Sequence, residues 1–168
     1  MPWSELDVEA GLWRLPASRT KTARAHLVHL SPQAIDIIQG LKPFTGKEKY
    51  VFASPLRKGQ AIYGRSANAA LQILFKRGSL PNVTPCHVHD FRRTLITRLP
   101  DLGFEYIIGN KIANHKLMGV MGHYNHAEHL PERKRALEVW ANQIQPVTIA
   151  KENVPVDFVF SGGAFSFC

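Results

Sequence analysis

Four places in this 168-residue chain hold residue types suited to chemistry: Arg19-Thr20-Lys21, His89-Asp90-Phe91-Arg92, His115 and Tyr124. Each has an ordinary reading when taken alone. An arginine three residues after a histidine is most often a solvated neighbour on one helix face. A lysine in a hairpin turn is usually a solvated tip, and a tyrosine among histidines is usually a half-buried amphipathic ring. Together they fit the cleavage of a phosphodiester. That reaction needs a hydroxyl to attack phosphorus, cations for the charge on the non-bridging oxygens, and an acid for the leaving oxygen. Tyr124 supplies the hydroxyl; with a free pKa of about 10 it needs a proton acceptor or a cationic field at neutral pH. Arg92 supplies a planar fork for two phosphate oxygens. His89, one helical turn earlier, presents to the same side. Lys21 sits on a flexible tip from which it reaches a leaving oxygen.

These residues need elements to hold them. Leu12-Trp13-Arg14-Leu15 and His26-Leu27-Val28-His29-Leu30 read as the two strands of a hairpin whose polar turn carries Lys21. Ser31-Pro32 opens a helix by N-cap and first-turn proline, with Gly40 near its end and a loop from Pro43 to Lys49. Tyr50-Val51-Phe52 reads as a short buried strand. Apolar spacing predicts helices over 65–77, from about His89 to Leu99, over 104–114 and over 131–144. Phe91, Leu95, Ile96 and Leu99 form the inward face of the second of these. Ala136, Leu137, Trp140, Ala141 and Ile144 form that of the last. Trp3 to Asp7 reads as the end of an element, and the pattern dissolves from Pro146 onward. The expected fold is α+β, mainly α, with a small three-stranded antiparallel sheet at one edge.

Composition narrows the partner. Lys and Arg number 21 against 13 Asp and Glu, a net charge of +8, with 45% hydrophobic and 20% charged residues. These are globular proportions, and the basic excess makes nucleic acid the first partner to consider. No apolar run approaches the roughly 20 residues that span a bilayer, so no membrane partner is expected. The first residues do not read as a signal peptide. Two cysteines, Cys86 and Cys168, build no disulfide framework, which suits a reducing, cytoplasmic setting.

Order, spacing and flanking residues resemble the catalytic domain of tyrosine recombinases, in particular phage and prophage integrases. The resemblance covers about residues 1–145. It is carried by Trp3-Ser4-Glu5-Leu6-Asp7, by Leu12 through Lys21, by Val51-Phe52 and by Pro85 through Thr94. Further on it is carried by Ala113-Asn114-His115, Gly122-His123-Tyr124-Asn125 and Glu132 through Ala141. It implies that Tyr124 attacks the scissile phosphate to give a 3′-phosphotyrosyl link and a 5′-hydroxyl. Lys21 protonates the leaving oxygen, His89 assists proton transfer, and Arg92 and His115 bind the phosphate. No metal or other cofactor is implied, because arginines take the cation's role. The implied partners are double-stranded attachment sites in the bacterial nucleoid, a tetramer of protomers and accessory DNA-bending proteins. Arg19, Arg24 and Arg93 join the expected DNA contacts. Residues 146–168 form a tail suited to packing in trans.

One departure stands against these matches. The family's first arginine lies just upstream of the segment resembling Pro2 to Asp7 and has no counterpart in this chain. Losing one such donor typically costs about a hundred- to thousandfold in rate. The expectation is a chain that is weak or inactive alone, as a piece of a longer integrase or as a non-catalytic DNA-binding remnant. Arg93 is rotated about 100° from Arg92 and does not replace it.

Other groupings carry less. His115, His123, His126 and His129 invite a zinc reading, but the last three sit at a spacing that drifts around a helix instead of converging. Cys86 and His87 point to opposite faces of an extended segment, so Cys86 reads as a buried structural residue. His26 and His29 fall on opposite strand faces and read as surface or interface residues.

Overall fold

The computed structural model describes residues 1–21, 23–115 and 128–149, with side chains of the last helix to residue 144. Strands β1 (Leu6–Asp7), β2 (Leu12–Leu15) and β3 (His26–His29) form one antiparallel sheet in that order. Leu6 pairs with Trp13, and β2 pairs with β3 from Leu12 with His29 to Leu15 with His26. Helices α1 (Pro32–Thr45), α2 (Ser66–Lys76), α3 (Val88–Arg98), α4 (Tyr106–Ile112) and α5 (Leu130–Ile149) follow. The mainly helical α+β architecture with a three-stranded sheet is therefore observed.

The third strand is not the expected one. It comes from Leu6–Asp7, while Tyr50 makes only an isolated bridge with Pro2. Residues Met1 to Trp3 account for the difference by pairing along residues 49–51. Trp3 N–H reaches the Lys49 carbonyl at 3.1 Å, and Val51 N–H reaches that of Met1 at 3.0 Å. Val51 is fully buried and Phe52 is exposed. The Trp3 indole also donates to the Thr45 carbonyl at 2.8 Å, so the start of the chain is packed.

Ser31 caps α1 as expected, its hydroxyl accepting from Ala34 N–H at 3.3 Å. The helix then continues through Gly40 and Pro43 to Thr45 instead of stopping. Its last turn is held from outside, since the Thr45 hydroxyl donates to the Val51 carbonyl at 2.8 Å. α5 likewise runs past Ile144 and through Pro146. At the end of α1 the local breaker signals give way because tertiary bonds hold the backbone.

The core lies where α3, α4 and α5 meet. Leu99, Ile107, Ile108 and Ala136 are buried together, with Leu95, Phe104 and Ile112 packed against them. Phe91, expected inside, is exposed, and so is Ile144. A tight corner joins α3 to α4: a 3-10 turn over Pro100–Leu102, then Gly103 at φ 83°, a left-handed angle that glycine adopts freely. Close approach of the two helices needs Gly109, where a Cβ would lie 3.2 Å from Ile96 Cα. This αα-hairpin sets the N-terminal turn of α3 beside the C-terminal end of α4.

Candidate active site

The N-terminal turn of α3 carries His89 and Arg92. His87 is the N-cap, and the Asp90 carboxylate closes a capping box by accepting from His87 N–H at 2.9 Å. The Asn68 side chain in the first turn of α2 accepts from Val88 N–H at 3.2 Å, and Gln72 donates to the Cys86 carbonyl at 2.8 Å. The starts of α2 and α3 thus flank an open groove lined by Arg65, Asn68, His87, His89 and Arg92. Helix N-termini carry partial positive charge, so with these cations the groove favours an anion.

Arg92 reaches across the corner, its Nη2 donating to the Ala113 carbonyl at the C-terminal end of α4. There Asn114 takes a left-handed φ of 52°. Asn114 N–H bonds to the Lys111 carbonyl at 3.1 Å and His115 N–H to that of Asn110 at 3.0 Å, the two bonds of a Schellman stop. This turn folds His115 back along its own helix until the ring Nδ1 lies 3.1 Å from Asn110 Oδ1. Burial, then the charges of Arg92 and His89, hold the His115 pKa below its ordinary value. His89, Arg92 and His115 are therefore brought together, from one helix and the turn that ends the next.

Lys21 is exposed on the hairpin tip. The turn beneath it is organised by Thr20, whose hydroxyl donates to the Arg24 carbonyl at 2.7 Å and accepts from Arg24 N–H at 3.1 Å. Arg19 pairs with Glu5, which also accepts from the Trp13 indole at 2.9 Å. Arg19 and Trp13 hold the Glu5 carboxyl below its ordinary pKa, although burial alone would raise it. Arg93 lies 3.9 Å from Asp90 on the solvent face of α3, and Arg24 is exposed. Tyr124, with His123 and His126, lies outside the described residues.

Sequence reasoning missed Arg133. This α5 residue is 2% exposed and is the largest of the fully buried side chains among the described residues. Its Nη2 donates to the Leu27 carbonyl of β3, and its Nη1 lies 3.2 Å from Glu128 Oε2 and 3.4 Å from the Glu128 carbonyl. The signal was present, because stepping back three residues from Ala136 along the apolar face lands on Arg133. Beside it, His26 and His29 are half-buried. Burial and then Arg133 hold both pKa values down, and His26 Nε2–H donates to the Ile112 carbonyl at 3.2 Å.

The phage integrase family profile matches residues 1–130. The chain belongs to the phage integrase family. Among relatives of this integrase-family chain, the prophage integrase IntA of Escherichia coli K12 is 31% identical over 144 residues, spanning 85% of this chain and 33% of that protein. The E. coli K12 putative protein IntB is 29% identical over 177 residues, spanning 92% of this chain and 44% of its own length. The integrase of enterobacteria phage P4 is 26% identical over 157 residues, spanning 84% and 35%. The chain thus covers less than half the length of these relatives. No solved structure matches it significantly. Among the described residues no helix is long and apolar enough to cross a membrane.

Proposed function

We propose that this integrase-family chain carries the strand-breaking and rejoining centre of a site-specific recombinase that integrates or excises prophage or island DNA. The observation that carries the reading is the junction of His89, Arg92 and His115 at the meeting of α3 and α4, beside a cation-lined groove. One phosphodiester is the ligand such a junction fits. Arg92 keeps N–H groups for its oxygens beyond the one on Ala113. His115 adds a second contact, and His89 is the proton-transfer partner.

In this reading Tyr124 Oη attacks phosphorus, the bond to the 5′-oxygen breaks, and Lys21 gives that oxygen a proton. The bond energy is kept in the phosphotyrosine, and the 5′-hydroxyl of another strand reverses the step. Residues 1–145 form the catalytic unit and 146–168 a segment for a neighbouring protomer. Duplex attachment sites, a tetrameric synapse and DNA-bending proteins in the nucleoid are the partners.

The test is capture of denaturant-resistant protein–DNA adducts from duplex fragments spanning the gene's own genomic neighbourhood. It is run on this chain and on the longest open frame containing it. Adducts that vanish in Tyr124→Phe support the reading. DNA binding without an adduct in either protein replaces it with a binding remnant.

A further inference from the structure

We propose that Asn110 is a positioning residue of this site. It holds neutral His115 with its proton on Nδ1, so that His115 grips an anionic phosphate oxygen only after Nε2 takes a proton from solvent. The second half of this inference rests on the phosphodiester reading above; the tautomer stands on geometry alone.

Asn110 is 9% exposed, and both ends of its amide are committed. Its Nδ2 lies 3.1 Å from the Tyr106 carbonyl one turn back on α4. A carbonyl can only accept, so the amide nitrogen must face Tyr106 and the amide oxygen must face His115. That oxygen lies 3.1 Å from His115 Nδ1. Two acceptors cannot bond, so Nδ1 carries the hydrogen. A neutral imidazole has one N–H, and Nε2 is therefore a bare lone pair. The Schellman stop favours this arrangement. It places the side chain two residues beyond the helix end against the side chain three residues before it, here His115 against Asn110.

The consequence concerns charge. A phosphodiester oxygen is ionised and accepts only, so it repels a bare Nε2 and attracts an Nε2–H. In the ligand-free site, burial and the neighbouring Arg92 and His89 of α3 disfavour the imidazolium. From β3, His26 binds the nearby Ile112 carbonyl and adds no anion. A bound phosphate supplies the missing negative charge, and one proton enters from solvent with it. Nothing is oxidised and no bond other than N–H forms.

Long-range proton–nitrogen correlation spectra of the labelled chain read both halves. Above the His115 midpoint, the Nδ1–H pattern is expected, and an Nε2–H pattern overturns the assignment. Sulfate, a tetrahedral anion that does not titrate in this range, is the probe for the second half. Against chloride at equal ionic strength it raises the His115 midpoint, and the rise disappears in Arg92→Gln. A midpoint unmoved by sulfate overturns proton uptake.

Asn110→Asp sets a carboxylate on Nδ1 and raises the midpoint by about one pH unit or more while keeping the tautomer. Asn110→Leu releases the ring to a mixture of tautomers. If the leucine variant fails to fold, the aspartate variant and the unaltered protein still decide. An Nδ1–H tautomer together with no Tyr124-dependent adduct removes the recombinase reading alone. An adduct together with an Nε2–H tautomer removes this inference alone.

Discussion

Replacing Arg133 by methionine tests how the sheet is fixed to the last helix. The guanidinium serves three acceptors: the Leu27 carbonyl, the Glu128 carbonyl and the Glu128 carboxylate. Arg133→Met leaves the Leu27 carbonyl without its donor, a cost of about 1–3 kcal/mol for a buried unpaired group. It also removes the penalty for holding a charge out of water, which returns part of that cost. A net loss of about 2 kcal/mol follows. Glu128→Gln is milder than the breaking of a fully buried pair. The Glu128 side chain is 65% exposed, so water screens the attraction and about 1 kcal/mol is expected. In the Arg133→Met background the glutamine change should cost almost nothing. Urea unfolding of the four proteins at pH 7.5 measures this, with a coupling of about 1 kcal/mol against the roughly 0.3–0.5 kcal/mol scatter of independent sites. Arg133→Met should also let the His26 and His29 midpoints rise, because Arg133 is second only to burial among the causes that hold them down. Additive energies, or histidines that do not move, would refute the account of Arg133 as the charged hub between β3 and α5.

His26, His29 and His115 all sit below the ordinary value of 6.5 in the folded protein, so the unfolded chain binds more protons below that pH. Stability is full above about pH 6.5 and declines as pH falls toward the folded midpoints, each histidine contributing less than about 1.4 kcal/mol per pH unit. Unfolding curves at pH 7.5, 6.5 and 5.5 check the direction, and a flat profile contradicts it. Gly109→Ala should destabilise, because the new methyl meets Ile96 backbone, whereas Gly40→Ala meets nothing within 4 Å and should gain up to about 1 kcal/mol of helix propensity. Melting temperatures moving in opposite directions are the readout. Asn114→Gly should be neutral and Asn114→Ala should cost about 1 kcal/mol, since alanine pays for a left-handed angle; equal stabilities would remove the Schellman argument. Arg92→Gln should leave the fold intact by circular dichroism while sharply lowering any Tyr124-dependent adduct.

The hairpin, the Ser31 cap and the starts of α2 and α3 were legible because each is written in neighbouring residues. The end of α1 was not. Gly40 and Pro43 are genuine breaker signals, outweighed by a bond from Trp3 that no local window contains and by the Thr45 bond to Val51. The third strand was misplaced for a related reason: residues 49–51 pair with the first three residues, far away in sequence. Within the site, His89 and Arg92 follow from one-turn spacing, and His115 was found through its flanks. Asn110 was invisible, since an asparagine in mid-helix has no special pattern until the stop at Asn114 folds His115 onto it. Arg133 was hidden differently, as a charge on an apolar face, which hydropathy reads as a solvated edge.

The corner at Gly103 has a bearing on how such a site arises. His89, Arg92, Asn110 and His115 all come from one uninterrupted stretch, residues 87–115, whose two helices touch through Gly109 and close through Arg92. Contacts this near in sequence form quickly, with little loop entropy to overcome. The stretch makes its own short-range contacts, and Asn68 of α2 and Ala136 of α5 support it from outside. Surrounding loops are then free to lengthen or diverge while the spacing of the anion-facing groups stays the same.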